Sequence, residues 1–493
     1  LRMSKARVTE LRERLISAVG DFSRSVEFDV FFSALVDYNP FNSTDDVLEW
    51  LQDLNRIQYF EVEEIEFSLL QQWHFDELNG DLRHNKGKFF SIRGFQVLDN
   101  RTGEPLWDQP IIDQPEVGIL GVLGKKLDGV LYFLMQAKAE PGNINTYQIS
   151  PTVQATRSNY TLAHGGKKTI YLEYFNGKTP VKVLYDQYQS EQGARFLEKR
   201  NRNIIVLDES NTPIKLSPNH KWLTLGQIKS LMEHDNTVNM DSRSVISLIR
   251  YWDSKYQIDV PAISRIISDY SDVIKRSEFW LSAVLQCFET RKSERQLSET
   301  RNTLIWKRYF CNLGRHTFPL KELRDWSIGD RLIQHNQNKF FQVLAVRINA
   351  NNREVESWDQ PIIRQRHNGQ IGLLCSPHQG EYKFLVQLKV EPGLYDMVEF
   401  SPTVQCIVEN YEASKQPRYL GEFLGKDLIY QARQSEEGGR FYRECSLNMI
   451  REASGFENTD PENYIWISLA GLKEMVQYQQ MLNIELRSLL AYF

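Results

Sequence analysis

One chain carries two copies of the same module, and this repeat limits its fold more than any other feature. Trp107-Asp-Gln-Pro-Ile-Ile112 returns as Trp358-Asp-Gln-Pro-Ile-Ile363, 251 residues later. At the same spacing, His84-Asn85 and Phe89-Phe90 return as His335-Asn336 and Phe340-Phe341. Phe133-Leu-Met-Gln-Ala-Lys-Ala-Glu-Pro-Gly142 matches Phe384-Leu-Val-Gln-Leu-Lys-Val-Glu-Pro-Gly393, and Ser150-Pro-Thr-Val-Gln154 matches Ser401-Pro-Thr-Val-Gln405. Gln189-Ser-Glu-Gln-Gly-Ala-Arg-Phe196 matches Gln434-Ser-Glu-Glu-Gly-Gly-Arg-Phe441, now 245 residues apart. A period this long means paired domains rather than a stacked solenoid.

The 493 residues therefore divide into few units. Expected are a helical extension over 1–69, a first module over 70–249, a helical connector over 250–319 and a second module over 320–493. Composition narrows the class. Charged residues are 25% and hydrophobic residues 41%, as in a folded globular protein. A net charge of −5 argues against a nucleic-acid binder. No apolar run reaches the roughly 18 residues of a membrane span, and the opening residues lack the apolar stretch of a secretory signal. Five cysteines, none in a Cys-x-x-Cys pair, suggest free thiols in a reducing cytoplasm rather than a disulfide scaffold or a zinc site. Histidine spacing offers no metal motif, so no metal is expected.

Each module reads as α+β. Strands are expected over Phe89–Leu98, Val130–Glu140, Tyr147–Thr156 and Thr169–Phe175, where β-branched and aromatic residues concentrate between turn residues. Helices are expected over Val181–Lys199, Leu223–Glu233, Ser242–Trp252 and Pro261–Thr290. Arg291–Arg301 reads as a charged helix or linker. In the extension, Ser43 or Thr44 can cap a helix over Asp45–Arg56 whose apolar stripe is Val47, Leu48, Leu51 and Leu54.

The candidate site begins on Val130–Glu140. Side chains alternate along a strand, so Gln136, Lys138 and Glu140 share one face and Met135, Ala137 and Ala139 the other. A hairpin across Pro141–Tyr147 would bring Thr152 and Gln154 to the polar face. A solvated strand face explains alternation but not identity. Between the copies the apolar positions differ, whereas Gln387, Lys389, Glu391, Thr403 and Gln405 repeat the polar set. Other repeated features are weaker. Glu191 and Arg195, like Glu436 and Arg440, are first of all a helical i,i+4 pair, although arginine also suits a diphosphate. His84 and His335 are either structural or acid/base groups. Trp107 and Trp358 are core anchors or stacking platforms, with the core favoured. Asn159-Tyr160 and Asn410-Tyr411 suit sugar hydroxyls or a turn.

These strings, with Ser158-Asn-Tyr160, Asn201-Arg-Asn203 and Asn239-Met-Asp-Ser-Arg243, resemble the NDP-hexose 2,3-dehydratases of deoxysugar biosynthesis. The likeness runs from about Trp50 to Phe493, and the first module matches more fully. The resemblance implies two Nudix-like modules, a homodimer, and dTDP-4-keto-6-deoxy-D-glucose as substrate. It further implies a pathway of the kind that supplies antibiotics, with a 3-ketoreductase downstream. A nucleotide-sugar epimerase or isomerase and a non-catalytic nucleotide-sugar binder are the competing readings. The Glu-rich metal-binding helix of Nudix hydrolases has no full counterpart. The C4 ketone already acidifies the C3 hydrogen, so no cofactor is required. Chemistry then suggests Glu140 as base or partner of the base, Lys138 as donor to the enolate or leaving group, and His84 and Tyr160 as alternative acid/base groups. Gln136, Thr152, Gln154 and Asn159 would orient the hexose. Arg195 and Arg243 would hold the diphosphate, Glu191 would stand beside Arg195, and Trp107 would stack on thymine.

Overall fold

A computed structural model describes residues 5–87, 89–156, 169–289, 294–351, 355–378 and 380–493. Helices Lys5–Val19, Val26–Leu35 and Thr44–Ile57 open the chain. Ser43 caps the third, accepting from Asp46 N while the Asp46 carboxylate accepts from Ser43 N. Val47, Leu51 and Leu54 bury its apolar stripe and Leu48 packs at the margin. Among the described residues no helix is long and apolar enough to cross a membrane.

The duplication is explicit in four sheets. Each copy has a large mixed sheet. In the first, the order is Lys182–Ser190, Arg200–Asp208, Gly118–Leu127, Val130–Ala139, His220–Leu223, with Tyr147–Ser150 paired to Val130–Ala139 and Val153–Ala155 to Gly118–Leu127. The second repeats this with Asp427–Ser435, Cys445–Glu452, Gly369–His378, Glu381–Val390 and Tyr464–Ser468, plus Val398–Ser401 and Val404–Cys406. Arg200–Asp208 runs parallel to Gly118–Leu127, as does Cys445–Glu452 to Gly369–His378. Helix Val26–Leu35 packs on Val130–Ala139, where Ser33 Oγ donates to Leu131 O at 2.6 Å. Helix Glu278–Glu289 covers Glu381–Val390 in the same way.

The two small sheets exchange a strand. Phe60–Ile65 precedes the first copy but pairs with Phe341–Ala350 of the second, in register from Phe60↔Ala350 to Ile65↔Ala345. Leu313–Phe318 precedes the second copy but pairs with Ser91–Asp99 of the first, from Leu313↔Asp99 to Phe318↔Gly94. Gly94 permits this approach, because a Cβ there would lie 2.7 Å from Phe318 O. The repeated Trp-Asp-Gln-Pro strings fasten the exchange. Asp108 accepts from Arg324 N and Nε, and Asp359 accepts from Gln71 N and Gln72 N. Trp326 Nε1 donates to Asp108 O, and Trp73 Nε1 to Asp359 O.

Several elements differ from expectation. Val181–Lys199 is not a helix: Lys182–Ser190 is a strand paired with Arg200–Asp208, and a tight turn follows. Long-range pairing of a Val- and Tyr-rich segment outweighs a weak helical spacing. Tyr147–Thr156 forms two short strands broken at Pro151, which has no N–H for a ladder. Thr169–Phe175 contains a 3₁₀ turn, Leu172–Tyr174, after Tyr171 at φ 63°. Helix Met240–Ile246 stops short of Trp252, and the charged segment continues as helix Glu294–Tyr309. The expected helix pair is present as Val260–Asp269 and Glu278–Glu289.

Two buried lysines join the halves where helices end. Lys229 Nζ donates to Ala491 O at 2.9 Å, and Lys473 Nζ donates to Leu490 O at 3.1 Å and Ser247 O at 3.3 Å. Carbonyls at helix ends suit a cation, but burial disfavours charge and pushes Lys473 down to about 7. The unfolded chain holds that proton up to the ordinary lysine range, so between about pH 7 and 10 it binds more protons than the folded chain. The lysine's cost is therefore fully present below pH 7 and is relieved as pH rises. Thermal melts from pH 7 to 9 should show a rising contribution to stability, and Lys473→Met should make that rise shallower.

Candidate functional site

The polar face of Val130–Ala139 is neither solvated nor random. Met135, Ala137 and Ala139 enter the core, while Gln136 and Lys138 are half-buried and Glu140 is buried. The expected hairpin forms, with Gln136↔Ser150 and Lys138↔Gln148 in register. Lys138 Nζ lies 3.1 Å from Glu140 Oε1, which also accepts from Gln154 Nε2 at 3.0 Å. Gln154 Oε1 accepts in turn from Ser150 Oγ at 2.6 Å and Asn239 Nδ2 at 3.2 Å. Asn239 caps helix Met240–Ile246. The second copy repeats the chain. Lys389 lies 3.6 Å from Glu391, Gln405 Nε2 donates to Glu391 at 3.1 Å, and Asn483 Nδ2 donates to Gln405 at 2.8 Å.

A pocket of about 220 Å³ opens on this face in the second copy, bordered by Gln387, Lys389, Thr403, Gln405, Tyr411 and Tyr464. Five of these six were expected from sequence. Asn410 lies beside it, its Oδ1 accepting from Phe340 N. Asn159 and Tyr160, the first-copy equivalents of Asn410 and Tyr411, lie outside the described residues. His220 holds the place of Tyr464 and pairs across from Gln136. Burial pushes His220 down to about 4, so its ring is neutral at pH 7, and Nε2 lies 3.1 Å from Thr152 O.

The sites are built from both copies. Gly142, just after Glu140, hydrogen-bonds to Gly438 O through its N, and its carbonyl accepts from Arg443 N, each at 2.7 Å. Gly393 is bound likewise by Gly193 O and Glu198 N. The Gln-Ser-Glu-x-Gly-x-Arg-Phe turn of each copy therefore lies against the Lys-x-Glu strand of the other. Arg440 faces Glu140, Glu437 and Glu116, while Arg195 faces Glu391, Glu436, Glu444 and Glu485. Each guanidinium stacks on a phenyl ring of the other copy, Arg440 on Phe90 at 4.1 Å and Arg195 on Phe341 at 4.2 Å. The expectation that Arg195 serves the first site and Arg440 the second is thus reversed, because the turns cross over. Glu191 and Glu436 stay with their own copy.

Around Lys138 the first site gathers Glu140, Glu191, Asp241 and Glu437, with Lys199 and Arg440 as further cations. Among the described residues, Glu140 Oε2, Glu191 Oε2 and Asp241 Oδ1 are buried without a hydrogen-bond partner. Burial, then the neighbouring carboxylates, holds Asp241 well above the ordinary aspartate range. Burial also raises Glu191 and Glu437 and lowers Lys199. The cluster can hold a proton at neutral pH beside a cation, which suits paired proton transfers.

Other expected residues lie elsewhere. Thr152 Oγ1 donates to Leu134 O and accepts from Leu123 N, so it staples two strands, as Thr403 does with Leu385 and Leu374. Arg243 is 1% exposed and is spent on Ser435 O and Ser488 Oγ, which leaves no guanidinium open to a diphosphate. His84 and His335 cap turns, accepting at Nδ1 from Lys86 N and Gln337 N. Trp107 is 41% exposed rather than a core anchor, and Trp358 is half-buried edge-on to Phe60. Sequence reading did not select Asp241, Lys199, His220 or Glu437. A signal for one of them existed: Glu437 aligns with Gln192, a charge change inside otherwise matching strings.

The family model described as NDP-hexose 2,3-dehydratase matches residues 44–249 and again 298–493. A dTDP-4-dehydro-6-deoxy-alpha-D-glucopyranose 2,3-dehydratase of Saccharopolyspora spinosa is 40% identical, covering 93% of each chain. Proteins of the same name from Amycolatopsis orientalis and Streptomyces violaceoruber are 39% and 36% identical. The Amycolatopsis alignment covers 91% of this chain and 89% of the relative, and the Streptomyces alignment 86% and 90%.

Proposed function

This chain belongs to the NDP-hexose 2,3-dehydratase family, and from that premise we propose that it removes water across C2 and C3 of dTDP-4-keto-6-deoxy-D-glucose, at the site around Lys138 and Glu140. The observation that carries the reading is the Lys138–Glu140–Gln154 cluster, a cation beside a carboxylate on a strand face that borders a pocket in the sister copy. The C4 ketone acidifies the C3 hydrogen. Glu140 takes that proton, directly or through a bound water, and Lys138 stabilises charge growing on O4. Expulsion of the C2 hydroxyl gives an enol that tautomerises to a 3,4-diketo-2,6-dideoxy sugar. Gln136 and Gln154 orient the hexose. The fuller match of the first copy to the family's strings supports it as the reacting one.

Each large mixed sheet with its flanking helices is taken as a Nudix-like module. The enzyme is taken as a cytoplasmic homodimer that hands an unstable diketone to a 3-ketoreductase. The experiment mixes the chain with dTDP-4-keto-6-deoxyglucose and such a reductase and weighs the products. Loss of one water is the expected result. Solvent deuterium at C3 without loss of mass favours an isomerase, and thermal protection without turnover favours a binder.

A further inference from the structure

Elimination needs a proton removed at C3 and a proton supplied at the C2 hydroxyl, and the reading above leaves the second unassigned. Three carboxyl groups besides Glu140 surround Lys138. Glu191 is 4% exposed and its Oε1 is occupied by Asn201 Nδ2 at 2.7 Å. Asp241 is 2% exposed, at the start of a helix. Glu437 differs from both. It is half-buried, and no side-chain hydrogen bond to it occurs among the described residues. It stands beside Gly439. A Cβ on Gly439 would sit 2.4 Å from Glu437 Oε1 and 3.8 Å from Glu140 Oε1, so the absent side chain keeps open the space the two carboxylates share.

The corresponding turn at the second site differs at both positions. There Ala194 replaces Gly439 and Gln192 replaces Glu437, and Gln192 Nε2 donates to Glu436 Oε2 at 2.8 Å. The acid and the glycine beside it occur together in one site and are replaced together in the other.

We propose that Glu437, delivered by the second copy, is a catalytic residue of the first site and protonates the C2 hydroxyl as it departs. This rests on the dehydratase reading and adds to it. The C2–O bond breaks with its electron pair on oxygen, and the Glu437 proton completes a water molecule. The enol then gives up its C3 hydroxyl proton, which restores Glu437, while the proton lifted from C3 returns to C2. Burial and the charge of Glu140 favour the protonated form that this role needs, against Arg440, Lys138 and Lys199.

The test follows the substrate in deuterated water by NMR and mass spectrometry with the full chain. Glu437→Gln should slow water loss by about 10²- to 10⁴-fold, the usual range for a lost general acid, yet still exchange the C3 hydrogen. Glu437→Asp should recover part of the rate. Glu437→Gln dehydrating within tenfold of the parent overturns the proposal. So does loss of C3 exchange together with dehydration in a variant that melts normally and binds dTDP, since that marks a positioning role. If Glu437→Gln does not fold, Glu437→Ala decides by the same two readouts: elimination slowed more than tenfold with C3 exchange kept supports the acid, and an elimination rate within tenfold of the parent overturns it. A parent enzyme that exchanges C3 without losing water refutes the dehydratase reading itself, and needs no variant to do so.

Discussion

Lys138→Ala and Glu140→Gln should each lower water elimination by about 10²- to 10⁴-fold while changing dTDP affinity only a few-fold. The two side chains meet at 3.1 Å on a strand whose opposite face is core. Neither substitution removes apolar packing, so a folded protein with a silent site is expected. Glu140 also receives Gln154, and Gln154 receives Asn239 at a helix start. Glutamine at 140 keeps the shape and removes the carboxylate proposed as base. Kinetics with the coupled reductase, alongside calorimetric titration with dTDP, checks both halves of the expectation. Full activity in both variants would remove this strand from the chemistry. Lys389→Ala and Glu391→Gln ask the same of the second copy. If both copies turned over, each pair of substitutions would remove roughly half the activity rather than one removing nearly all.

The largest effect on stability is expected at the glycines that dock the copies. A Cβ on Gly142 would fall 1.6 Å from Phe441 O, and one on Gly393 would fall 2.1 Å from Gly193 O. Both obstacles are backbone, which no rotamer change can clear. Gly142→Ala and Gly393→Ala must push the partner turn away and stretch the hydrogen bonds that these glycines make. About 3 kcal/mol or more of destabilisation is expected for each, at the upper end for single substitutions. Gly421→Ala is the control. Nothing lies within 4 Å of its Cβ position and it sits in a short helix, so no loss of stability is expected, only a gain of up to about 1 kcal/mol from alanine's helix preference. Urea unfolding curves compare the three. A Gly142→Ala protein as stable as the parent would mean that the turn carrying Glu437 and Arg440 is not rigidly held. Loss of activity should accompany the loss of stability at Gly142, because that turn completes the first site.

The duplication, the α+β class and the Lys-x-Glu hairpin were legible because they leave local marks. Repeated strings show directly, and the period-two alternation of Val130–Ala139 survives in both copies. The exchange of strands was not legible, for a physical reason. Phe60–Ile65 and Leu313–Phe318 carry no local mark of which copy's edge they join, since those edges hold the same place in equivalent sheets. Which pairing forms depends on chain path and on contacts such as Asp108 with Arg324. The same blindness assigned Arg195 and Arg440 to their own copies. Lys182–Ser190 was misread because its pairing partner, not its own spacing, decides its conformation. Arg243 looked like a phosphate ligand by residue type, but its burial follows from the fit of two helix starts against the partner's turn.

The crossing of Phe60–Ile65 and Leu313–Phe318 has a bearing on inheritance. After a duplication, one copy is usually free to drift. Here neither is. A substitution in the second copy's turn is felt at the first copy's Lys138–Glu140 strand, and either half expressed alone would present an unpaired sheet edge. Selection on one reaction therefore reaches nearly the whole chain. A copy whose own chemistry had lapsed would still be kept in repair, as the wall of its neighbour's chamber.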